Sequence, residues 1–154
     1  MKLASPILIL LLIAITGLNS TSFTQQPYKL IVKETTGGPA TPQILVIKEP
    51  TALKRFYTKV NLTRRPGLAV PSVDFTKEFV VILCMGTMQT TGHEVSINKV
   101  ESNKAKTLKI LVEEKHPDKN QKLTKVFNEP FSVYIIQGNY ENIEFEKINN
   151  AIEN

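Results

Sequence analysis

The sequence has no tryptophan, only two histidines and a single cysteine, Cys84, among its 154 residues. One cysteine cannot form an internal disulfide, so this chain cannot be held together by a disulfide framework. Its 7 glycines and 9 prolines are too few for a collagen-like or low-complexity chain. Stability must therefore come from a hydrophobic core, and a composition with 42% hydrophobic and 21% charged residues supports one globular domain.

The sequence also lacks a concentrated patch of positive charge, although the 19 Lys and Arg residues exceed the 14 Asp and Glu residues. The closest approach to a patch is Arg64 and Arg65, with Lys54, Arg55 and Lys59 upstream. A nucleic-acid site would need a basic stripe interleaved with exposed aromatic residues. No such pattern is present, so the sequence predicts no nucleic-acid partner.

The N-terminus has the composition of a leader segment. A lysine at position 2 precedes an uninterrupted apolar run at residues 6–15, and mostly small or polar residues follow at 16–26. This order predicts a secretory signal peptide over residues 1–22, cleaved between Ser20 and Thr24. The apolar run is shorter than the roughly 20 residues that span a bilayer, although an uncleaved anchor helix remains the alternative. We therefore expect an extracytoplasmic protein, periplasmic or secreted, with no stable membrane span after cleavage.

One segment has helical periodicity. Pro50 suits the first helical position, where its missing N–H is not needed. The apolar residues that follow at i, i+3, i+4 and i+7 spacing are Leu53, Phe56, Tyr57 and Val60. This spacing predicts an amphipathic helix over about residues 50–61, which the Arg65-Pro66-Gly67 segment cannot continue.

The rest of the chain has the pattern of strands. Apolar alternation or short apolar runs occur at residues 28–33, 43–48, 79–85, 95–100, 108–113, 131–136 and 143–146. Turn-rich segments separate the later strands at 86–92, 102–106, 116–122 and 137–139. Residues 43–48 are apolar on both faces, which predicts a central or covered strand. The pattern predicts a mainly β domain over residues 27–148, folded as an antiparallel β-sandwich or open barrel with the helix before the main sheet.

The residues that could support catalysis do not form a recognisable site. Cys84 lies inside the apolar run 79–85, which predicts a buried, inert thiol, and a Cys–His pair would require His93 beside it. No serine has the context of a nucleophile elbow. The sequence therefore predicts no catalytic residue.

A polar cluster near the end of one predicted strand is the only candidate for metal binding. It consists of Glu113, Glu114, His116 and Asp118, but this spacing matches no defined metal site. A solvated polar hairpin explains the same residues. The sequence thus predicts no metal or other cofactor.

Several short motifs occur in a recognisable order. They are Asp74-Phe75, Val80–Leu83, Gly86, Thr90-Thr91-Gly92-His93, Val95–Val100, Leu108–Glu113, Pro117 and Pro130. In this order the segment at about 73–145 resembles the PrcB C-terminal domain family. The sequence departs from the family pattern at the turn, where Thr91 replaces a glycine and His93 replaces a tyrosine.

The resemblance implies an exported accessory subunit associated with proteases and not itself a protease. A weaker resemblance to chagasin-like protease inhibitors rests on Thr90-Thr91-Gly92-His93 followed by Pro130-Phe131. It implies an alternative, a protease inhibitor that uses loops 89–93 and 128–131. Gly92 permits a tight projecting turn, and Pro130 pre-orders the later loop. The predicted partner-binding residues are Thr90, Thr91, Gly92, His93, Pro130 and Phe131, although ordinary sandwich turns would have the same composition.

Overall fold

The computed structural model describes residues 27–103, 106–118 and 123–148, so the predicted signal peptide lies outside the described residues. The described part of the chain contains nine strands and one helix. They are β1 (Tyr28–Glu34), β2 (Gln43–Ile47), α1 (Pro50–Val60), β3 (Glu78–Cys84), β4 (Met88–Thr90), β5 (Glu94–Ser102), β6 (Thr107–Lys115), β7 (Lys125–Asn128), β8 (Phe131–Gln137) and β9 (Asn142–Ile148).

A four-stranded antiparallel sheet in the order β1-β8-β3-β2 forms the middle layer. Its two central strands, β3 and β8, are almost continuously apolar because both faces of this sheet are covered. Alternate residues of β3 point to opposite layers: Val80 and Ile82 belong to the core on the helix side, whereas Val81 and Leu83 belong to the core on the other side.

Helix α1 covers one face of this sheet. The predicted apolar stripe Leu53, Phe56, Tyr57 and Val60 is buried, as its spacing predicts. The ring of Phe56 lies edge-on to that of Phe131 in β8, with centroids 5.7 Å apart. The helix ends at the predicted position, where the backbone N–H of Asn61 donates to the carbonyl of Tyr57 at 3.0 Å. Full burial of each large apolar side chain contributes about 1.5–3 kcal/mol.

A three-stranded sheet in the order β5-β6-β9 covers the other face. Its inward residues include Ile97, Leu108 and Ile110, which are buried against the middle sheet. Strands β6 and β9 pair in parallel, whereas the other pairs of described strands are antiparallel. The chain leaves β6 and passes through β7 and β8 before β9, and such a crossover connection permits a parallel pair.

The predicted fold class is confirmed: the described part of the chain is mainly β and sandwich-like, with one short helix before the main sheet and no closed barrel among its strands. The segment 86–92 is not only a turn, because it contains β4, which is too short to show an alternating pattern. Strand β2 lies at a sheet edge, although α1 covers one of its faces. Across residues 27–103, 106–118 and 123–148, no helix is long and apolar enough to cross a membrane.

Candidate partner-binding site

Two segments that are distant in the sequence meet in a two-stranded ribbon of β4 and β7. Met88 pairs with Asn128 and Thr90 pairs with Lys125, with an irregularity between the two pairs. The buried side chain of Asn128 donates from Nδ2 to the carbonyl of Thr90 at 2.7 Å and to that of Val126 at 3.1 Å. The two loops that the sequence singled out are therefore neighbours in space.

Two hydrogen bonds hold the turn after β4 to the segment before β7. The N–H of Thr91 donates to the carbonyl of Thr124 at 3.2 Å, and the N–H of Thr124 donates to Oγ1 of Thr91 at 3.3 Å. Gly92 has a φ of +92°, and a Cβ at this position would lie 2.9 Å from Cβ of Pro117. A glycine is required here for both reasons, conformation and close approach.

His93 joins this turn to the loop after β6. Its Nε2 lies 3.0 Å from Oγ1 of Thr90, and its Nδ1 lies 3.0 Å from Nδ1 of His116. A hydrogen bond between two ring nitrogens needs one of them as acceptor, so at least one imidazole is neutral. Partial burial, and second the neighbouring His116, lower the pKa of His93 below its ordinary value.

The later of the two predicted loops does not present its Pro-Phe pair to solvent. Phe131 is 1% exposed and packs on Phe56 under the helix, and Pro130 is buried while its carbonyl accepts from the N–H of Met85 at 3.0 Å. The physical reason is that β8 begins at Phe131 with its first side chain pointing into the core. A partner would reach the exposed Thr91 and Gly92 but not this aromatic ring.

The ribbon instead exposes a different aromatic residue, Phe127. Its side chain is 72% exposed, and that of Val126 beside it is 46% exposed. The sequence pattern does not mark these residues, because two adjacent apolar residues between Lys125 and Asn128 have neither strand nor helix periodicity. The only signal was the Val-Phe pair itself in an otherwise polar stretch, and it does not distinguish an exposed position from a buried one.

The side chain of Cys84 is buried and its thiol is not activated as a nucleophile. Cys84 is buried in the core on the helix side, as predicted, and burial raises the pKa of its thiol to about 12. A thiol with such a pKa holds almost no thiolate at neutral pH. In the described part of the chain, no group of three or more His, Cys, Asp or Glu side chains could hold a metal ion.

Comparison with known proteins identifies the segment that carries this ribbon. Residues 79–137 match the family model described as PrcB C-terminal. The match begins in β3 and ends with β8, so it contains β4, β7 and the His93 turn. No curated protein and no solved structure matches the chain. The resemblance predicted from the sequence is therefore confirmed over residues 79–137, and the strands from β3 to β8 are similar to the PrcB C-terminal family.

Proposed function

We propose that this protein is an exported, non-catalytic accessory subunit of a protease complex that contacts its partner through the β4–β7 ribbon. The single observation that carries the proposal is the exposed Phe127 on a ribbon inside the matched segment. Exposed aromatic residues are frequent hot spots of protein interfaces because they bury a large area on binding.

The hydrogen bonds of the ribbon support this role. The bonds of Asn128 to β4 and of Thr124 to the turn hold the surface around Phe127 in one arrangement before a partner arrives. A pre-ordered surface loses less conformational entropy on binding than a free loop does. The predicted leader supplies the export step, and we expect the intact mass of the extracytoplasmic protein to correspond to cleavage after one of residues 20–24.

One observation favours the second candidate, a protease inhibitor. The β4–β7 pairing places loop 89–93 beside loop 128–131, as an inhibitor that uses both would require. The burial of Phe131 removes one of the two contact groups that the chagasin-like resemblance implies. We therefore favour the accessory role and keep inhibition as an outcome of the same experiment.

The test is a pull-down from the envelope fraction with the tagged protein and two variants. Phe127→Ser removes the exposed ring from the ribbon, and Leu62→Ser makes a matched change at a 71% exposed residue in the loop after α1. We expect the wild type and L62S to recover the same protease, and F127S to recover at least about tenfold less, which corresponds to about 1.4 kcal/mol.

The activity of the recovered protease separates the two roles. An active protease in the complex supports the accessory function, and a protease that loses activity when the protein is added supports inhibition. Equal recovery by F127S and the wild type would show that the ribbon is not the contact surface.

A further inference from the structure

Strand β2 is an edge strand that has no charge, no proline and no bulge. It pairs with β3 along Gln43–Ile47 without a bulge, and among the described residues no strand pairs with its other side. Its sequence, Gln-Ile-Leu-Val-Ile, contains no charge and no proline, the residues with which proteins commonly block edge pairing. The outer backbone groups of β2 therefore form a template to which another extended segment can pair.

A groove of about 610 Å³ lies between this strand and α1. Leu45 and Ile47 line it from the strand, and Ala52 and Phe56 line it from the helix. The Gly37–Pro39 turn lies at one end. A strand added to β2 would direct every second side chain toward these apolar residues, because side chains alternate between the two faces of a sheet.

The charged residues of the groove are Arg55 and Lys59, and both are cations. They are exposed, and neither has an ion pair within the described ranges, whereas Arg64 nearby is paired with Glu34 at 3.0 Å. Among the residues that the structure describes, no acidic side chain lines the groove. The two cations would attract an occupant with carboxylates, whereas a second copy of this chain would bring the same two cations together.

The turn at the end of the groove is not a receptor for a terminal carboxylate. The N–H of Gly38 donates to the carbonyl of Glu129 at 3.0 Å, and the N–H of Gly37 donates to Oε2 of Glu129 at 3.4 Å. Both donors are already used inside the protein. The carboxylates of an occupant would face α1 and not this turn.

We propose that the groove between β2 and α1 binds an extended, apolar and acidic segment of a partner protein, which pairs with β2 as a fifth strand of the middle sheet. Its apolar side chains lie against Leu45, Ile47 and Phe56, and its carboxylates pair with Arg55 and Lys59. Main-chain hydrogen bonds provide affinity in this mode of recognition, and alternate side chains provide specificity. This site is separate from the function proposed above, because no residue lining the groove belongs to β4 or β7.

The test uses fluorescein-labelled seven-residue peptides, acetylated and amidated, and fluorescence anisotropy with the full chain. One peptide has valine at positions 1 and 3, glutamate at positions 5 and 7 and threonine at the even positions, so that its valines and glutamates lie on the same face of the strand. A second peptide has lysine in place of glutamate. Two further analogues of the acidic peptide are N-methylated at odd or at even positions, which removes the backbone donors of one edge at a time. We expect the acidic peptide to bind, the lysine peptide to bind at least tenfold more weakly, and at least one methylated analogue to lose binding.

Two variants with equal change in net charge locate the site. Arg55→Glu with Lys59→Glu should weaken binding of the acidic peptide at least tenfold. Lys29→Glu with Lys54→Glu, which changes exposed residues outside the groove, should leave it within about twofold. Thermal unfolding of both variants verifies that they are folded.

Three results would overturn the proposal: no binding of the acidic peptide, equal effects of the two charge variants, or unchanged binding of both methylated analogues. The F127S variant tests whether the groove and the β4–β7 ribbon are separate binding surfaces. If F127S loses the protease but still binds the peptide, the two surfaces are distinct; if it loses the peptide as well, the groove is not a separate site.

Discussion

His93 connects two loops that are 23 residues apart in the sequence, through the bond between its Nδ1 and that of His116. The bond requires that one of the two rings stays neutral. Burial, and second the neighbouring imidazole, disfavour the cation of His93 and lower its pKa. Oγ1 of Thr90 holds the other nitrogen of the ring. We therefore expect the turn to be sensitive to pH.

The pH dependence of stability follows from this direction of shift. When the pH is below about 6.5, the ordinary pKa of a histidine, His93 takes up a proton more readily in the unfolded chain than in the folded one. Its contribution to stability is therefore fully present above about pH 6.5 and is lost as the pH falls through the lowered folded pKa. NMR titration of the His93 ring should give a pKa below 6.5, and thermal unfolding should show that H93Q loses less stability than the wild type on acidification.

The H116Q variant serves as the control for this prediction. Removing the second imidazole should move the pKa of His93 upward, though not fully to its ordinary value, because burial is the larger cause of the shift. A pKa of His93 at or above 6.5 in the wild type would contradict the interpretation.

At the scale of elements, α1 contributes to the fold through one stripe of side chains. Phe56 is the clearest case, since its ring packs edge-on against both Tyr57 and Phe131. Lys54 lies two residues away in the same helix and is exposed. Helix propensity alone cannot keep an 11-residue helix folded in water, so packing of this stripe must do so.

Replacing Phe56 with alanine should therefore cost about 3–5 kcal/mol of unfolding free energy, because it removes a buried ring and leaves a cavity. Lys54→Ala should change stability by no more than about 0.5 kcal/mol. Urea unfolding measures both. A loss below about 1 kcal/mol for F56A would mean that α1 does not depend on this contact.

At the scale of the whole molecule, β3 couples the two cores. Val80 and Val81 are adjacent in the chain and belong to opposite cores. The hydroxyl of Tyr134 in β8 also accepts from the backbone N–H of Ile97 at 3.1 Å, which ties the middle sheet to the outer one. We expect the two cores to unfold together, since neither can open without exposing the shared strand.

Cys84 reports on this coupling because it lies at the end of β3 and its thiol, with a pKa of about 12, is buried. Labelling of the native protein with a thiol reagent at pH 8 should require global unfolding, so the free energy of opening should equal that from urea unfolding. The F56A variant should be labelled about 100-fold faster or more, in line with its lost stability. Labelling much faster than global unfolding would show that the helix layer opens alone.

The sequence by itself determined the elements that depend on local periodicity. The stripe on α1, the continuous apolar runs of β3 and β8 and the burial of Cys84 all follow from which side chains must leave water. The order of short motifs was also sufficient to indicate the PrcB C-terminal family. These features are encoded within segments of about ten residues, where each pattern has one favourable arrangement.

Only the tertiary structure decided which residues reach the surface where a partner could bind. Phe131 and Phe127 lie four positions apart, yet one is buried under α1 and the other is exposed on the ribbon. The contact of His93 with His116 and the open edge of β2 likewise depend on pairings between distant segments. Those pairings are selected by the packing of the whole core, and no local pattern along the chain encodes them.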